Sequence, residues 1–251
     1  MHGLPIASTG AVVNQLKTSE AVARRIVGDI VDGGLRPGDH LDGEAAMVQR
    51  YSVSRESLRE GLRLLEAQGI LTMKRGPGGG PVVHTVDPAN LGRVSTLYFH
   101  LAGGTYRELI EAWVMAESTL AERAAHYPDD AMRRLTMAPF MSPAISPPDR
   151  QPVFVFEHTS FHGAVATLAE NAVLQIWLQT MGLIISRHVV DLENLKSLHT
   201  AIAHDHRAIA GAVADGDPGL ARVLMREHIL VIGRQLDGEL AGALDDHIQW
   251  K

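Results

Sequence analysis

The sequence predicts a mainly α-helical protein, with a winged helix-turn-helix at its N-terminus followed by an antiparallel all-α helical bundle. Residues 18–86 contain three short helical patterns and then two extended segments around a glycine-rich turn. From about Leu91 onward, apolar residues recur at helical spacing almost throughout, without strand-like alternation. Together these patterns favour a small module of helices and one hairpin, joined to a larger helical domain.

Composition limits the class of protein. The chain has no cysteine, which excludes disulfides and thiolate metal sites. Residues 1–17 lack the start of a secretory signal, and no apolar run reaches the roughly 18 residues of a membrane span. We therefore expect a soluble, cytoplasmic protein with no membrane partner.

Charge is distributed unevenly along the chain, whose formal net charge is −6. Residues 1–84 hold 10 Lys and Arg against 9 Asp and Glu, whereas residues 85–251 hold 13 against 20. Contact with phosphate depends on local charge more than on the total. The first segment can therefore bind nucleic acid, and the acidic second segment is not expected to.

Capping residues and apolar spacing set the N-terminal elements. We expect three helices, from Thr18 or Ser19 to Gly33-Gly34, from about Gly43 to Tyr51, and from Ser54 to about Gln68. Their expected N-caps are Thr18 or Ser19, Asp42 and Ser54, and Gly69 is the expected stop of the third helix. Two strands follow at 70–74 and 81–85, on either side of the turn at 75–80.

Five long helical stretches follow, at residues 105–126, 153–170, 172–191, 193–214 and 218–244. Residues 139–152 hold five prolines and are expected to form a loop. Asp217 before Pro218 is a strong helix start, so the last two stretches should form a helical hairpin.

The third helix and the turn after it carry the residues expected to contact DNA. These residues are Ser54, Arg55, Ser57, Arg59, Lys74, Arg75 and Gly76. The two helical arginines project from one side, and Arg can hold guanine O6 and N7 with two hydrogen bonds. The serines can donate to phosphates at the helix N-terminus, and the basic turn can follow the adjacent groove. The alternative is that the arginines form ordinary solvated ion pairs with nearby glutamates.

Residues 44–71, EAAMVQRYSVSRESLREGLRLLEAQGIL, resemble the DNA-binding domain of the GntR family of bacterial regulators. The resemblance rests on Val53-Ser54-Arg55, Leu58-Arg59-Glu60, Leu65-Glu66 and Gly69. It implies that Arg55 and Arg59 contact operator DNA, and that Gly76 is the glycine of the wing. Ala45 stands where the family often has Arg, so an operator preference does not carry over.

Four histidines of the acidic segment have the spacing of a metal site. His158 and His162 are one helical turn apart, and His206 and His228 lie at similar distances on either side of the turn at 214–219. Four imidazoles in one bundle predict a divalent metal as cofactor, first of all Zn²⁺ and then Ni²⁺. The alternative for any single histidine is an ordinary core or surface residue.

Residues 106–240 resemble the all-helical effector domain of the FadR-type branch of the same family. His158-Thr159-Ser160-Phe161-His162 aligns with its motif of an acidic residue followed three positions later by Phe-His, and His206 and His228 fall on the other two metal positions. Many members have Asp or Asn at the place of His158. A neutral imidazole leaves more positive charge on the site, which should favour Zn²⁺ or Ni²⁺ and still attract a carboxylate effector.

Trp113 and Arg187 are the candidate effector contacts. The family often has Arg at the place of Trp113, so one carboxylate clamp is lost here, and Arg187 in the next core helix remains. The alternative for Arg187 is a surface or interface salt bridge. We expect an effector that is bulkier or more apolar than a simple hydroxy acid.

These patterns predict four regions: a flexible tail (1–17), the winged helix-turn-helix (18–86), a linker with a connecting helix (87–104), and a domain for effector, metal and dimer contacts (105–245). We expect a homodimeric transcriptional repressor, not an enzyme. It should bind a palindromic operator in double-stranded DNA and respond to a small organic acid bound near the metal. Two alternatives remain: a metal-dependent hydrolase, and a regulator that senses the metal alone.

Overall fold

The computed structural model describes residues 17–76, 78–141, 153–189, 196–239 and 243–250, with 153–159, 186–189, 196–203, 236, 238, 239 and 243 as helical backbone only. The chain forms two compact units that divide between Asn90 and Leu91. The boundaries set from the sequence, after residue 86 and after residue 104, stay predictions. The mainly helical fold class is confirmed.

The N-terminal unit contains the expected three helices and one hairpin. Its elements are α1 (Thr18–Asp32), α2 (Glu44–Tyr51), α3 (Arg55–Ala67), β1 (Leu71–Lys74) and β2 (Gly80–Val83). The strands are antiparallel, with Leu71 opposite Val83 and Lys74 opposite Gly80, and His40 adds a single bridge to Val82. Fully buried apolar side chains, such as Ile26 and Leu58, hold the helices to the hairpin.

Helix α3 is fixed by its cap and by a close approach to α1. The Ser54 side chain caps α3 as expected, because its Oγ accepts the Ser57 backbone N–H at 3.1 Å. At Gly61, an added Cβ would lie 2.6 Å from Val22 Cγ1 and 2.9 Å from the Ser19 carbonyl oxygen. Only glycine lets α3 lie this near to α1, and this contact sets the position of the exposed face of α3.

Two of the expected N-caps are wrong. Helix α1 begins after Lys17 without a side-chain cap, and Ser19 is 3% exposed inside the α1–α3 contact. Helix α2 begins after Gly43, again without a side-chain cap, and Asp42 instead forms an ion pair with Arg50 at 3.4 Å. Packing and a competing charge decided how these side chains are used, which propensity alone does not reveal.

The second unit is a helical bundle around one central helix. Its elements are α4 (Pro88–Ala102, of which Leu91 onward belongs to this unit), α5 (Tyr106–Ala125), α6 (Asp130–Met141), α7 (Val153–Leu168), α8 (Ala172–Val189), α9 (Lys196–Asp215), α10 (Pro218–Glu239) and a short 3-10 helix (Ala243–Asp245). Helix α5 packs against α7, α8, α9 and α10. Its first turn is closed by a capping box between Thr105 and Glu108. Side chains on α5 therefore reach the middle of the bundle.

The hairpin of α9 and α10 forms as its sequence predicted. Gly216 takes a φ of +72°, which ends α9, and Asp217 Oδ1 accepts the Leu220 backbone N–H at 2.9 Å to cap α10. The tight turn makes the two helices antiparallel neighbours. Residues at equal distances from the turn can therefore meet across the pair.

Helix α6 contradicts the expected loop at residues 139–152. The helix continues through Pro139 to Met141, while residues 142–152 lie outside the described part of the chain. Pro139 lies in the last turn on the exposed side, where losing one N–H donor costs little, and Met137 anchors the helix in the core with no exposure. The run of prolines led to the prediction of a loop, whereas packing in the core stabilises the last turn of α6.

Within the described ranges, no helix combines the length and the apolar character needed to cross a lipid bilayer.

Candidate metal centre and DNA-reading surface

The start of α3 presents the predicted arginines to solvent. Arg55 and Arg59 are both exposed, and they are separated by four residues on one helix. Arg59 Nε donates to Glu44 Oε2 at 3.0 Å, an ion pair in which both side chains are well exposed. Among the described residues, Arg55 forms no ion pair. Because an exposed ion pair contributes at most about 1 kcal/mol, a nucleic acid can displace Glu44 at small cost.

The serines at this helix start are engaged with each other. Besides capping the helix, Ser54 Oγ donates to Ser57 Oγ at 3.0 Å. Both hydroxyls lie at the positive end of α3, where backbone N–H groups favour an anion. This is the arrangement expected for holding a phosphate beside the two arginines.

The wing is built from a basic strand end and a glycine turn. Lys74 ends β1, and Arg75 and Gly76 follow it into the turn, all three exposed. Gly76 has a φ of +98°, a left-handed conformation that other residues rarely adopt. An added Cβ at Gly79 would lie 2.4 Å from the Lys74 carbonyl oxygen. Sequence analysis did not single out Gly79, and its contact with the Lys74 carbonyl is visible only in the folded turn.

Three of the four predicted histidines meet in the core of the second unit. His162 lies on α7, His206 on α9 and His228 on α10, and their exposures are 5%, 4% and 1%. One ring nitrogen from each can be chosen so that all three lie within 4.8 Å of one another. Buried imidazoles from three different helices, aimed at one point, have the composition of a metal site.

The spacing of the nitrogens fits ligands of a single ion. The Nε2 atoms of His206 and His228 are 3.2 Å apart. The ring centroid of His162 lies 5.3 Å from that of His206 and 5.5 Å from that of His228. Two nitrogens bound tetrahedrally to Zn²⁺ at about 2.0–2.1 Å lie about 3.3 Å from each other. The same distance also allows a direct hydrogen bond between one protonated and one unprotonated nitrogen.

Three side chains hold these rings in place. Glu117 on α5 is 1% exposed, and its Oε1 lies 2.6 Å from His162 Nδ1. Asp205 Oδ2 lies 3.3 Å from His228 Nδ1. The ring of Phe161 stacks on that of His206, with centroids 4.0 Å apart and an interplanar angle of 22°. Each imidazole is therefore in contact with a side chain other than the three histidines, and such contacts restrict the orientation of a ligand ring.

Burial dominates the acid–base properties of the centre. It raises the pKa of Glu117 to about 8, although His228 and the Trp113 N–H act to lower it. Burial also holds the pKa of His162 well below its usual range, so this ring is neutral at physiological pH and can serve as a metal ligand. The hydrogen bond with His228 lowers the pKa of the Asp205 carboxyl.

The remaining predicted residues of the second unit are described to different extents. His158 is on α7, one turn before His162, and Arg187 is on α8; both side chains lie outside the described residues. Trp113 on α5 is 3% exposed, and its indole N–H donates to Glu117 Oε1 at 3.1 Å. His204, a competitor of His206 in the sequence, points away from the core with 81% of its side chain exposed.

Glu117 and Asp205 were not predicted as parts of this centre, and Phe161 was noted only as part of the Phe-His motif. Glu117 did carry a signal, since it is an acidic residue on the apolar face of α5, between Trp113 and Leu120. Such a residue is rarely buried without a functional or structural partner. Asp205 precedes His206 directly in the sequence, but only the fold shows that it supports His228 instead.

Comparison with known protein families finds two matches. Residues 18–79 match the gntR family of bacterial regulatory proteins, and residues 105–230 match the FCD domain. The first range contains the α3 arginines and most of the wing. The second range contains His162, His206, His228 and their carboxylate partners.

Several characterised or named relatives resemble the chain over nearly all of its length. The Glc operon transcriptional activator of Escherichia coli K12 is 26% identical over 237 residues, 89% of this chain and 91% of the relative. LutR of Bacillus subtilis 168, an HTH-type transcriptional regulator, is 24% identical over 88% of this chain and 100% of its own length. A putative L-lactate dehydrogenase operon regulatory protein of E. coli K12 is 26% identical, over 87% of this chain and 86% of its own length.

A solved structure supports the fold. The chain superposes on a Streptococcus agalactiae GntR protein with a TM-score of 0.61 and 21% identity, covering 86% of this chain and 99% of that one. At this identity the likeness concerns the fold alone.

Proposed function

This chain belongs to the gntR family of bacterial regulatory proteins and carries an FCD domain, and from this membership we propose how it acts. It is a DNA-binding transcriptional regulator, as its relatives are, and not an enzyme. The alternative of a metal-dependent hydrolase is therefore set aside.

For DNA, we propose that Arg55 and Arg59 contact base edges in the major groove. Their exposure at the capped start of α3 supports this role, because the N-terminal residues of a recognition helix reach the bases. The phosphates are held by Ser54, Ser57, Lys74 and Arg75. Gly76 is part of the wing, directly after Arg75. Since one helix reads few base pairs, a homodimer on a palindromic operator is the expected assembly.

For the metal, we propose that His162, His206 and His228 bind one divalent cation, with His158 as a fourth ligand. The three buried imidazoles support Zn²⁺ first and Ni²⁺ second, because nitrogen donors suit these ions better than Mg²⁺ or Ca²⁺. Replacing His158 with Asp should move the preference toward harder ions. Unchanged metal preference in calorimetry would contradict that role for His158.

For the signal, we propose a small organic acid whose carboxylate binds close to the ion, with Arg187 and Trp113 as effector contacts. One relative is named for an L-lactate dehydrogenase operon, which supports this ligand class. A carboxylate is an oxygen donor that can enter the coordination sphere of a Zn²⁺ ion with an open position. We propose repression as the resting activity, with acid binding releasing the operator. The protein then acts in the cytoplasm, beside its operator DNA.

The observation that carries the proposal is the convergence of three buried histidines within the FCD range. The test is fluorescence anisotropy with labelled DNA from the neighbouring intergenic region, using protein that is metal-free, Zn²⁺-loaded, or Zn²⁺-loaded with a panel of small carboxylic acids. We expect sequence-specific binding by the Zn²⁺ form and release by one class of acid.

Other outcomes separate the alternatives. A response of DNA affinity to Zn²⁺ alone, with no acid effective, would establish the metal-sensing regulator. Equal affinity in all three states would contradict metal and effector control while leaving the DNA-binding role intact.

A further inference from the structure

We propose that Glu117 is a positioning residue of the metal centre, which holds His162 by its Nδ1 atom so that Nε2 binds the ion. This inference deepens the proposed function and rests on its metal site. Glu117 belongs to α5, whereas the three histidines belong to α7, α9 and α10. The central helix of the bundle therefore takes part in the site through this carboxyl group.

The first step is the contact between the carboxyl and the ring. Glu117 Oε1 and His162 Nδ1 are 2.6 Å apart, so the carboxyl group is in ion-pair contact with this side of the ring. With Nδ1 facing the carboxyl group, we assign Nε2 of His162 to the ion, beside the Nε2 atoms of His206 and His228, which are 3.2 Å apart. A carboxylate on the far nitrogen fixes both the tautomer and the orientation of a ligand ring.

The second step is what holds the carboxyl itself. The Trp113 indole N–H donates to the same Glu117 Oε1 at 3.1 Å, one turn earlier on α5. Both side chains are almost fully buried, at 3% and 1% exposure, so water does not compete for these contacts. Trp113 thus orients Glu117, and Glu117 orients His162, from a helix that supplies no ligand among the described residues.

The third step is a comparison within the same centre. Asp205 plays a parallel part for His228, but its contact is longer, at 3.3 Å, and 32% of its side chain is exposed. An exposed carboxylate can be replaced by water, whereas a buried one cannot. The two carboxylates therefore differ in importance, and Glu117 should matter more to the metal than Asp205.

Charge supports the same assignment. Imidazole ligands add no charge to a divalent ion that they bind, and a buried carboxylate one ring away compensates part of the ion's charge. A positive ion likewise compensates the buried Glu117 carboxylate, which within the described part of the chain contacts His162 and Trp113 and forms no ion pair with Lys or Arg. Metal and carboxylate each lower the cost of burying the other.

The test uses the full chain in four forms: wild type, Glu117→Gln, Asp205→Asn and Glu122→Gln. Glu122 is the matched control, because it lies on the same helix and pairs with Arg222 on the surface at 2.7 Å. Each protein is stripped of metal with a chelator and titrated with Co²⁺, which reports its own coordination by visible absorption, and then with competing Zn²⁺. Circular dichroism and apo-state melting temperature monitor folding.

We expect Glu117→Gln to weaken Co²⁺ and Zn²⁺ binding by about 10–100-fold and to change the Co²⁺ absorption spectrum. Asp205→Asn should weaken binding less, and Glu122→Gln should leave affinity and spectrum as in wild type. Gln fills the same volume and still accepts a hydrogen bond, so a merely structural role for Glu117 would leave the Co²⁺ spectrum unchanged. Wild-type affinity and spectrum in Glu117→Gln would overturn the inference.

A second variant, Trp113→Phe, tests the same inference if Glu117→Gln does not fold. If Glu117→Gln fails to fold, Trp113→Phe removes the indole N–H, keeps an aromatic ring, and should weaken Co²⁺ binding in the same direction by a smaller factor. Unchanged Co²⁺ binding in a folded Trp113→Phe would then overturn the inference. Failure of wild type to bind either ion would instead contradict the proposed metal site itself.

Discussion

The Nε2 atoms of His206 and His228 lie 3.2 Å apart, although 22 residues separate the two histidines in the chain. The turn at Gly216 and Asp217 makes this possible, because it folds α10 back along α9. The two rings are then almost completely buried. A pair of imidazoles in this position has the geometry of adjacent ligands, and this relationship gives the first prediction.

His206→Ala should abolish stoichiometric metal binding, because it removes one of three converging nitrogens. The measurement is elemental analysis of gently purified protein, with Zn²⁺ affinity by calorimetry. His204→Ala is the matched control, since that residue is on the same helix but its side chain is 81% exposed. Full metal content in the His206 variant would show that the cluster is a hydrogen-bonded core feature.

Arg55→Ala and Arg59→Ala should each weaken operator binding by about 1–3 kcal/mol and relax base preference. The reason is that each guanidinium can grip a guanine with two hydrogen bonds. Glu44→Gln is a useful companion, because it frees Arg59 from its 3.0 Å ion pair and should not weaken binding. Anisotropy on operator variants measures all three, and equal losses on every sequence would contradict base contact.

Lys74→Ala should weaken binding to all DNA sequences alike, because a wing lysine neutralises phosphate without reading bases. The slope of log affinity against log salt concentration should become shallower by about one unit. Lys17→Ala, an exposed lysine directly before α1, is the control. A loss confined to one operator sequence would assign Lys74 to base contact instead.

Gly79→Ala should distort the wing, because its Cβ would lie 2.4 Å from the Lys74 carbonyl oxygen and 2.9 Å from that of Gly76. Both neighbours are backbone atoms, so the turn itself must move, at a cost on the order of 1 kcal/mol or more. DNA affinity should fall in parallel with Lys74→Ala. Gly28→Ala is the control, because no atom lies within 4 Å of its added Cβ. The higher helix propensity of alanine should stabilise the folded state of this variant by about 0.5–1 kcal/mol.

Tyr51→Phe should destabilise the N-terminal unit by about 1.5–3 kcal/mol at neutral pH. The Tyr51 hydroxyl donates to Asp29 Oδ2 at 2.6 Å, and burial, followed by this hydrogen bond, raises the pKa of Tyr51 from 10.0 to about 12. A group whose pKa is raised by folding stabilises the folded state fully at a pH below its pKa in the unfolded state. That contribution is lost as the pH rises through its pKa in the folded state.

The free energy of unfolding of wild type should therefore fall relative to Tyr51→Phe between pH 10.0 and about 12. Urea unfolding followed by circular dichroism at neutral and alkaline pH measures the difference. Tyr98→Phe serves as the control, because Tyr98 is 67% exposed. A difference that does not vary with pH would rule out the hydroxyl as its source.

The sequence by itself determined the local features of this protein. Ser54 caps α3, Gly216-Asp217 turns α9 into α10, and the regular spacing of apolar residues predicts α5, α7, α8, α9 and α10 but not α6. Each of the predicted features depends on residues that are close in the chain. The spacing of His206 and His228 about that turn was sufficient to predict that they could face each other across the hairpin.

Only the tertiary structure decided which residues support that pair. Glu117 reaches His162 from another helix, Asp205 serves His228 and not its neighbour His206, and Pro139 continues a helix that composition had assigned to a loop. These outcomes depend on which surfaces of distant segments pack together and exclude water. Burial and close contact between helices are properties of the folded chain, and no local pattern encodes them.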